Sequence, residues 1–145
     1  MTIVCAIDGS RYSQWTLDWL QRIHAHRNGS LLLVHAVDMT QFKTFSKLNQ
    51  KSRSALVKVL DVSLEAAARL LEDAELKTAK TWDHVRAKLL RGRPAEAIAH
   101  SARRERADLL MLGSRSGRSA REYFMGSIVD TVVKYAPCSV LVHRG

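Results

Sequence analysis

A chain of 145 residues, 46% hydrophobic and 26% charged, has the size and composition of one folded domain (residues 1–145) and not of a disordered chain. Its two cysteines, Cys5 and Cys138, each sit in an apolar β-like run rather than a disulfide framework. No apolar run nears the roughly 18 residues of a membrane span, and no basic stretch precedes the first one, so a cytoplasmic protein is expected.

Five short apolar runs alternate with four amphipathic stretches, the pattern of a parallel sheet with crossover helices. The first run, Thr2–Ile7, ends in Asp8-Gly9-Ser10 and leads into a helix. In that helix Tyr12, Trp15, Trp19, Leu20 and Ile23 recur at helical spacing, which predicts Trp15 and Trp19 on its packed face; Asn28-Gly29 is a natural stop. Ser30–Val37 is almost continuously apolar, as in a central strand covered on both sides. The polar segment 38–52 contains Phe42 and Phe45 but no clear period, and reads as a long loop.

From Ser54 to Ala74 the positions Leu56, Val59, Leu60, Ser63, Ala67, Leu70, Leu71 and Ala74 trace a helical face. Thr81–Leu90 alternates, with His84, Arg86 and Lys88 on one side, which suits an edge strand with one wet face. Trp82, at its start, is expected to be partly exposed. A third helix runs from Pro94 to Arg106, with the proline in its first turn. Asp108–Gly113 is the fourth strand, Ile128–Tyr135 belongs to the fourth helix, and after Pro137 the run Cys138–His143 closes the sheet.

Ligands of open α/β sheets bind beyond the carboxyl ends of strands where strand order reverses. Two such ends carry suitable chemistry. Asp8, past the first strand, reads either as an acceptor for ligand hydroxyl or amino groups or as a cap of the first helix. The segment Gly113–Ser127 offers Gly113, Gly117 and Gly126 for close backbone approach to an anion, Arg115, Arg118 and Arg121 for charge, and Gly126-Ser127 at the start of a helix. The same segment also reads as a connecting loop with Ser127 as a cap.

The net charge of +9 favours anionic ligands, and it is concentrated between Arg86 and Arg121, where ten Lys or Arg face three acids. No RNA-binding motif accompanies it, so nucleic acid is not an expected partner. Six histidines do not make a metal site: His24 and His26 point to different helix faces, His35 lies in a central strand, and His84, His100 and His143 have no Cys or carboxylate at ligand spacing. There is no nucleophile elbow, no P-loop and no Cys-x-x-Cys.

The strand end "IDGS", the strand "LLLVHAV", the helix start "GRPAEAIAHSA", the strand "ADLLMLGS" and above all "MGSIVDTVVKYAPCSVLV" resemble the universal stress protein family along the whole chain. The resemblance implies an α/β fold of the adenine nucleotide alpha hydrolase-like type, an open five-stranded parallel sheet of order 3-2-1-4-5 with helices on both faces. It also implies a homodimer, often formed through the last strand, here Cys138–His143, that acts in stress response through an unidentified protein partner.

Nucleotide-binding members carry Gly, two residues, Gly, nine residues, then Gly-Ser or Gly-Thr. On this chain those places are Gly113, Ser116, Gly126 and Ser127, so a serine stands where the second glycine is expected, with Gly117 beside it. Its Cβ would crowd a phosphate, its hydroxyl would donate to one, or the loop shifts and uses Gly117. The resemblance assigns Asp8 to the adenosine end, Ile7, Ala36 and Leu112 to base and ribose, and Gly113, Gly126, Ser127 and Ile128 to the phosphates. ATP or another adenine nucleotide is the implied ligand, with Mg2+ as its companion ion. A nucleotide-free dimer acting through partners is the alternative. No general base stands out, so at most slow ATP hydrolysis is expected.

Overall fold

The computed structural model describes residues 1–23, 28–114 and 127–144. Strand β1 (Thr2–Ala6) lies at the centre of a five-stranded parallel sheet of order β3-β2-β1-β4-β5. Its neighbours are β2 (Ser30–Asp38) and β4 (Leu109–Gly113), while β3 (His84–Gly92) and β5 (Ser139–His143) form the edges. This is the order implied by the family resemblance, and the alternating charges of β3 lie on an edge as expected.

Side-chain alternation along β1 divides the core in two. Ile3, Cys5 and Ile7 face Leu17 and Leu20 of α1 (Arg11–Arg22) and Leu71 and Ala74 of α2 (Gln50–Thr78). Val4 and Ala6 face Ile98 and Ala102 of α3 (Pro94–Arg104) and Val132 of α4 (Ser127–Tyr135). Cys5 pairs in register with Leu33 on one side and Met111 on the other, and is fully buried. Burial alone pushes its thiol up to about 12. Cys138, expected to be a buried hydrophobe, is only half-buried.

Four local expectations change. The segment after Asp38 is not a plain loop: Thr40–Lys47 is a 3-10 helix, and α2 starts already at Gln50. Residues three apart eclipse in a 3-10 helix, so Phe42 and Phe45 come together, ring centres 6.3 Å apart, without a 3.6-residue period. Helix α2 also ends later than read, and at 29 residues it spans about 43 Å. Only its second half, through Ala67, Leu71, Ala74 and Thr78, is buried; Val57, Val59 and Val62 are exposed.

Trp82 precedes β3 rather than starting it. Its N–H donates to the Thr78 carbonyl at 3.0 Å, and the indole is folded back into the core at 4% exposure. On α1 the buried face is Ser13, Thr16, Leu17 and Leu20, and Trp15 is 39% exposed, with the Arg11 guanidinium over its ring at 5.5 Å. Small residues face the sheet because α1 lies close against it. Their hydroxyls turn back to the helix, Ser13 to the Ser10 carbonyl and Thr16 to that of Tyr12, each at 2.9 Å. Among the described residues no helix is long and apolar enough to cross a membrane.

Candidate functional site

The chain runs outward from β1 through β2 to β3, then returns to β4 on the other side of β1, so the strand order reverses between β1 and β4. Over the carboxyl ends of these strands lies a cavity of about 490 Å³. Ile7 and Asp8 follow β1, Ala36 comes from β2, Leu112 and Gly113 end β4, and Ser127 and Ile128 open α4; all line it. Seven of the residues predicted for the site thus share one cavity. Ser116, Gly117 and Gly126 lie outside the described residues, as do Arg115, Arg118 and Arg121, and likewise His24 and His26.

Asp8 and Ser10 divide the work of starting α1. Ser10 is the N-cap, its hydroxyl accepting from the Ser13 N–H at 3.3 Å, and Asp8 accepts the Ser10 N–H at 2.9 Å one turn earlier. Gly9 between them has φ +79°, a conformation that side chains with a Cβ rarely adopt. Burial works to raise the Asp8 carboxyl. Hydrogen bonds from the side chain and backbone of Ser10 and from Ser13, with the charge of His35, outweigh it and leave the pKa lowered.

A carboxyl depressed in the fold contributes stability above its unfolded pKa, which is lost as pH falls through the folded value. Asp8→Asn is therefore expected to lower the melting temperature by a constant amount between about pH 5 and 7, with the gap closing below about pH 4. Thermal melts across that range check it; a gap that persists at the acid end would show that the charge is not involved.

Gly113 serves a purpose its sequence context does not suggest. Its φ is not positive. A Cβ there would meet the Tyr12 carbonyl oxygen at 2.6 Å, its carbon at 2.7 Å and the Ser13 nitrogen at 2.9 Å. The glycine lets the end of β4 lie directly on the first turn of α1, which closes one wall of the cavity. Beside it, Ser114 donates its N–H to the His143 carbonyl at 2.9 Å.

His35, a strand histidine that the sequence sets aside as a metal ligand, lines the cavity. Its Nδ1 lies 2.7 Å from the Ile7 carbonyl. A carbonyl only accepts, so Nδ1 carries the hydrogen, and in the neutral ring Nε2 holds the lone pair. The clue was positional: His35 is two residues past Leu33, the partner of Cys5, and so stands level with the end of β1. Ala6, Ser10, Tyr12, Ser13, Pro94, Ile98, Ser114 and Val129 complete the lining. Pro94 and Ile98 carry no polar signal and were legible only once α3 had been placed.

An open parallel sheet with a cavity at its point of strand reversal defines the doubly wound class of α/β ligand-binding domains. The model of the universal stress protein family matches residues 1–144, and the chain belongs to that family. A universal stress protein of Thermus aquaticus, in the QAH/OAS sulfhydrylase 3′ region, is 33% identical over 144 residues, covering 99% of this chain and 98% of that one. Universal stress protein UspA from Lactobacillus plantarum superposes with a TM-score of 0.81 at 23% identity over 99% and 97% of the two chains. A universal stress protein family protein from Arabidopsis thaliana, solved with AMP bound, superposes with a TM-score of 0.66 at 19% identity over 99% and 91%.

Proposed function

We propose that this universal stress protein binds an adenine nucleotide in the cavity above β1 and β4, and that occupancy modulates a homodimer acting in the cytoplasm on a protein partner. The observation that carries this reading is the convergence of three kinds of group on one cavity. Ile7, Ala36, Leu112 and Ile128 offer apolar surface for a base. The Asp8 carboxylate and the His35 ring are acceptors suited to ribose hydroxyls or a base amino group. The amino terminus of α4, at Ser127, offers first-turn N–H groups that have no partner within the helix and the positive end of a helix dipole for phosphate.

A cavity of about 490 Å³ is of the size that holds small ligands. The related structure with AMP bound agrees in ligand class. Asp8 is the one carboxylate among the described lining residues, so Mg2+ would enter on the nucleotide's own phosphates rather than in a protein cage. The dimer reading rests on β5, a half-exposed edge strand carrying Val140, Leu141 and Val142.

Calorimetry with AMP, ADP and ATP is expected to show saturable binding to a protein that sediments as a dimer. Loss of a hydrogen bond to a charged group makes Asp8→Ala weaker by roughly ten- to a hundredfold. No heat with any of the three at millimolar concentration would instead favour the nucleotide-free dimer.

A further inference from the structure

A second concavity lies on the far side of α3. It is an open groove of about 710 Å³ between β3 and α3, and no residue that lines it lines the first cavity. Its helix wall is a stripe at successive turns, Ala97, His100, Ser101 and Arg104. Its strand wall brings Lys88 and Arg91, and Arg93 lies where the two walls meet.

The charges of this groove are unbalanced. Glu96 is its one carboxylate among the described residues, and the Arg93 guanidinium engages it at 2.9 Å. Lys88, Arg91 and Arg104 have no ion-pair partner among the described residues. The next cation along β3, Arg86, lies outside the groove and is held by Glu105 at 2.6 Å. Like charges gathered at one concave surface repel, and an anion seated among them relieves that repulsion.

The hydroxyl of Ser101 adds an independent sign. Elsewhere in the helices, buried or not, Thr16, Ser63, Thr78 and Thr131 each donate to the carbonyl four residues back. Ser101 does not: the residue is 3% exposed, and its Oγ has no hydrogen-bond partner. A buried hydroxyl left unpaired calls for an explanation, and here its residue lines the groove that carries the unpaired cations. The first turn of α3 beside it has no side-chain cap, since Arg93 holds the N-cap position and Pro94 the first helical one.

We propose that this groove is a second anion site, built for a compact condensed phosphate, held by Lys88, Arg91 and Arg104 and by the Ser101 hydroxyl. Among the described lining residues there is no Phe, Tyr or Trp and His100 is the one ring, too little stacking surface for a run of bases, which favours a small oxyanion over a single-stranded nucleic acid.

The test uses the whole protein, with sodium tripolyphosphate as probe. Titration followed by amide NMR is expected to shift Gly92, Ala97, Ser101 and Arg104. Lys88→Glu with Arg104→Glu should weaken binding by about tenfold or more, and Ser101→Ala by several-fold. Both changes are expected to leave the amide spectrum that of a folded protein, since Lys88 and Arg104 are exposed and serine and alanine differ by one oxygen. The proposal is overturned if no binding occurs, or if the charge reversals leave it unaltered. Shifts confined to residues 8–13 and 127–129 would equally overturn it by placing the phosphate in the first cavity. Random-sequence DNA binding there more tightly than tripolyphosphate would replace it with a polymer site. Because AMP reports on the other cavity, failure here and failure of the nucleotide reading are separate results.

Discussion

Gly113→Ala is expected to destabilise the protein by about 2–3 kcal/mol, the upper range for forcing an atom into a packed site. The sign is the informative part. Where the backbone is unstrained, replacing glycine by alanine usually stabilises by about 0.4–1 kcal/mol, because the unfolded chain loses freedom. Gly113 has no positive φ, so that gain would apply but for the first turn of α1, whose carbonyl oxygen stands 2.6 Å from the place a Cβ would take. The obstacle is backbone on both sides and cannot rotate away. The strand and helix must separate instead, and because Tyr12, Ser13 and Gly113 all line the cavity, affinity for the proposed nucleotide should fall with stability. Urea unfolding measures the first effect and calorimetry the second. A variant as stable as the parent would mean that β4 and α1 are not in contact there.

Trp82→Ala is expected to cost more, about 3–5 kcal/mol, as for a large aromatic removed from a core. For a domain of this size that corresponds to a fall in melting temperature of roughly 10 °C or more. The indole joins Ile3, Leu20, Leu31 and Ala74 in one cluster, so its removal leaves a void under the carboxyl end of α2. Trp82→Phe should recover most of the loss. Circular dichroism melts check both variants, and a loss under about 1 kcal/mol for the alanine would place the ring at the surface instead.

Those two residues also show where reading the sequence stops. Near-continuous apolar runs at Thr2–Ile7 and Ser30–Val37 announce strands covered on both faces, and alternating charges at His84, Arg86 and Lys88 announce an edge. Such patterns depend on burial summed over many residues, and they survive into the structure. Strand order came from likeness to a family rather than from any period. What depended on a single contact was hidden. Trp82 is buried because a turn after Thr78 folds it inward, and nothing local distinguishes an inward from an outward turn. The stripe Tyr12, Trp15, Trp19, Leu20 and Ile23 reads as the packed face of α1; Trp19, Leu20 and Ile23 do pack on the core, but the close approach at Gly113 gives the first turns to Ser13 and Thr16 and leaves Trp15 exposed. The two aromatics of the 3-10 helix repeat every three residues, a period that a search for 3.6 passes over. At the site, Asp8 was legible from its place after a strand, whereas His35 needed the register between β1 and β2 to bring it level with that strand end.

The burial of β1 has a chemical consequence as well as a structural one. Oxidants attack the thiolate form of cysteine, and with its pKa raised to about 12 the Cys5 thiol is ionised in about one molecule in a hundred thousand at neutral pH. Cys138 is raised too, by its own burial and by the negative charge of Asp108. Both thiols are thus biased toward the neutral form, so peroxide at neutral pH finds less thiolate at either cysteine than at a free one. The same packing that builds the centre of the sheet thereby makes Cys5 a poor entry point for redox chemistry.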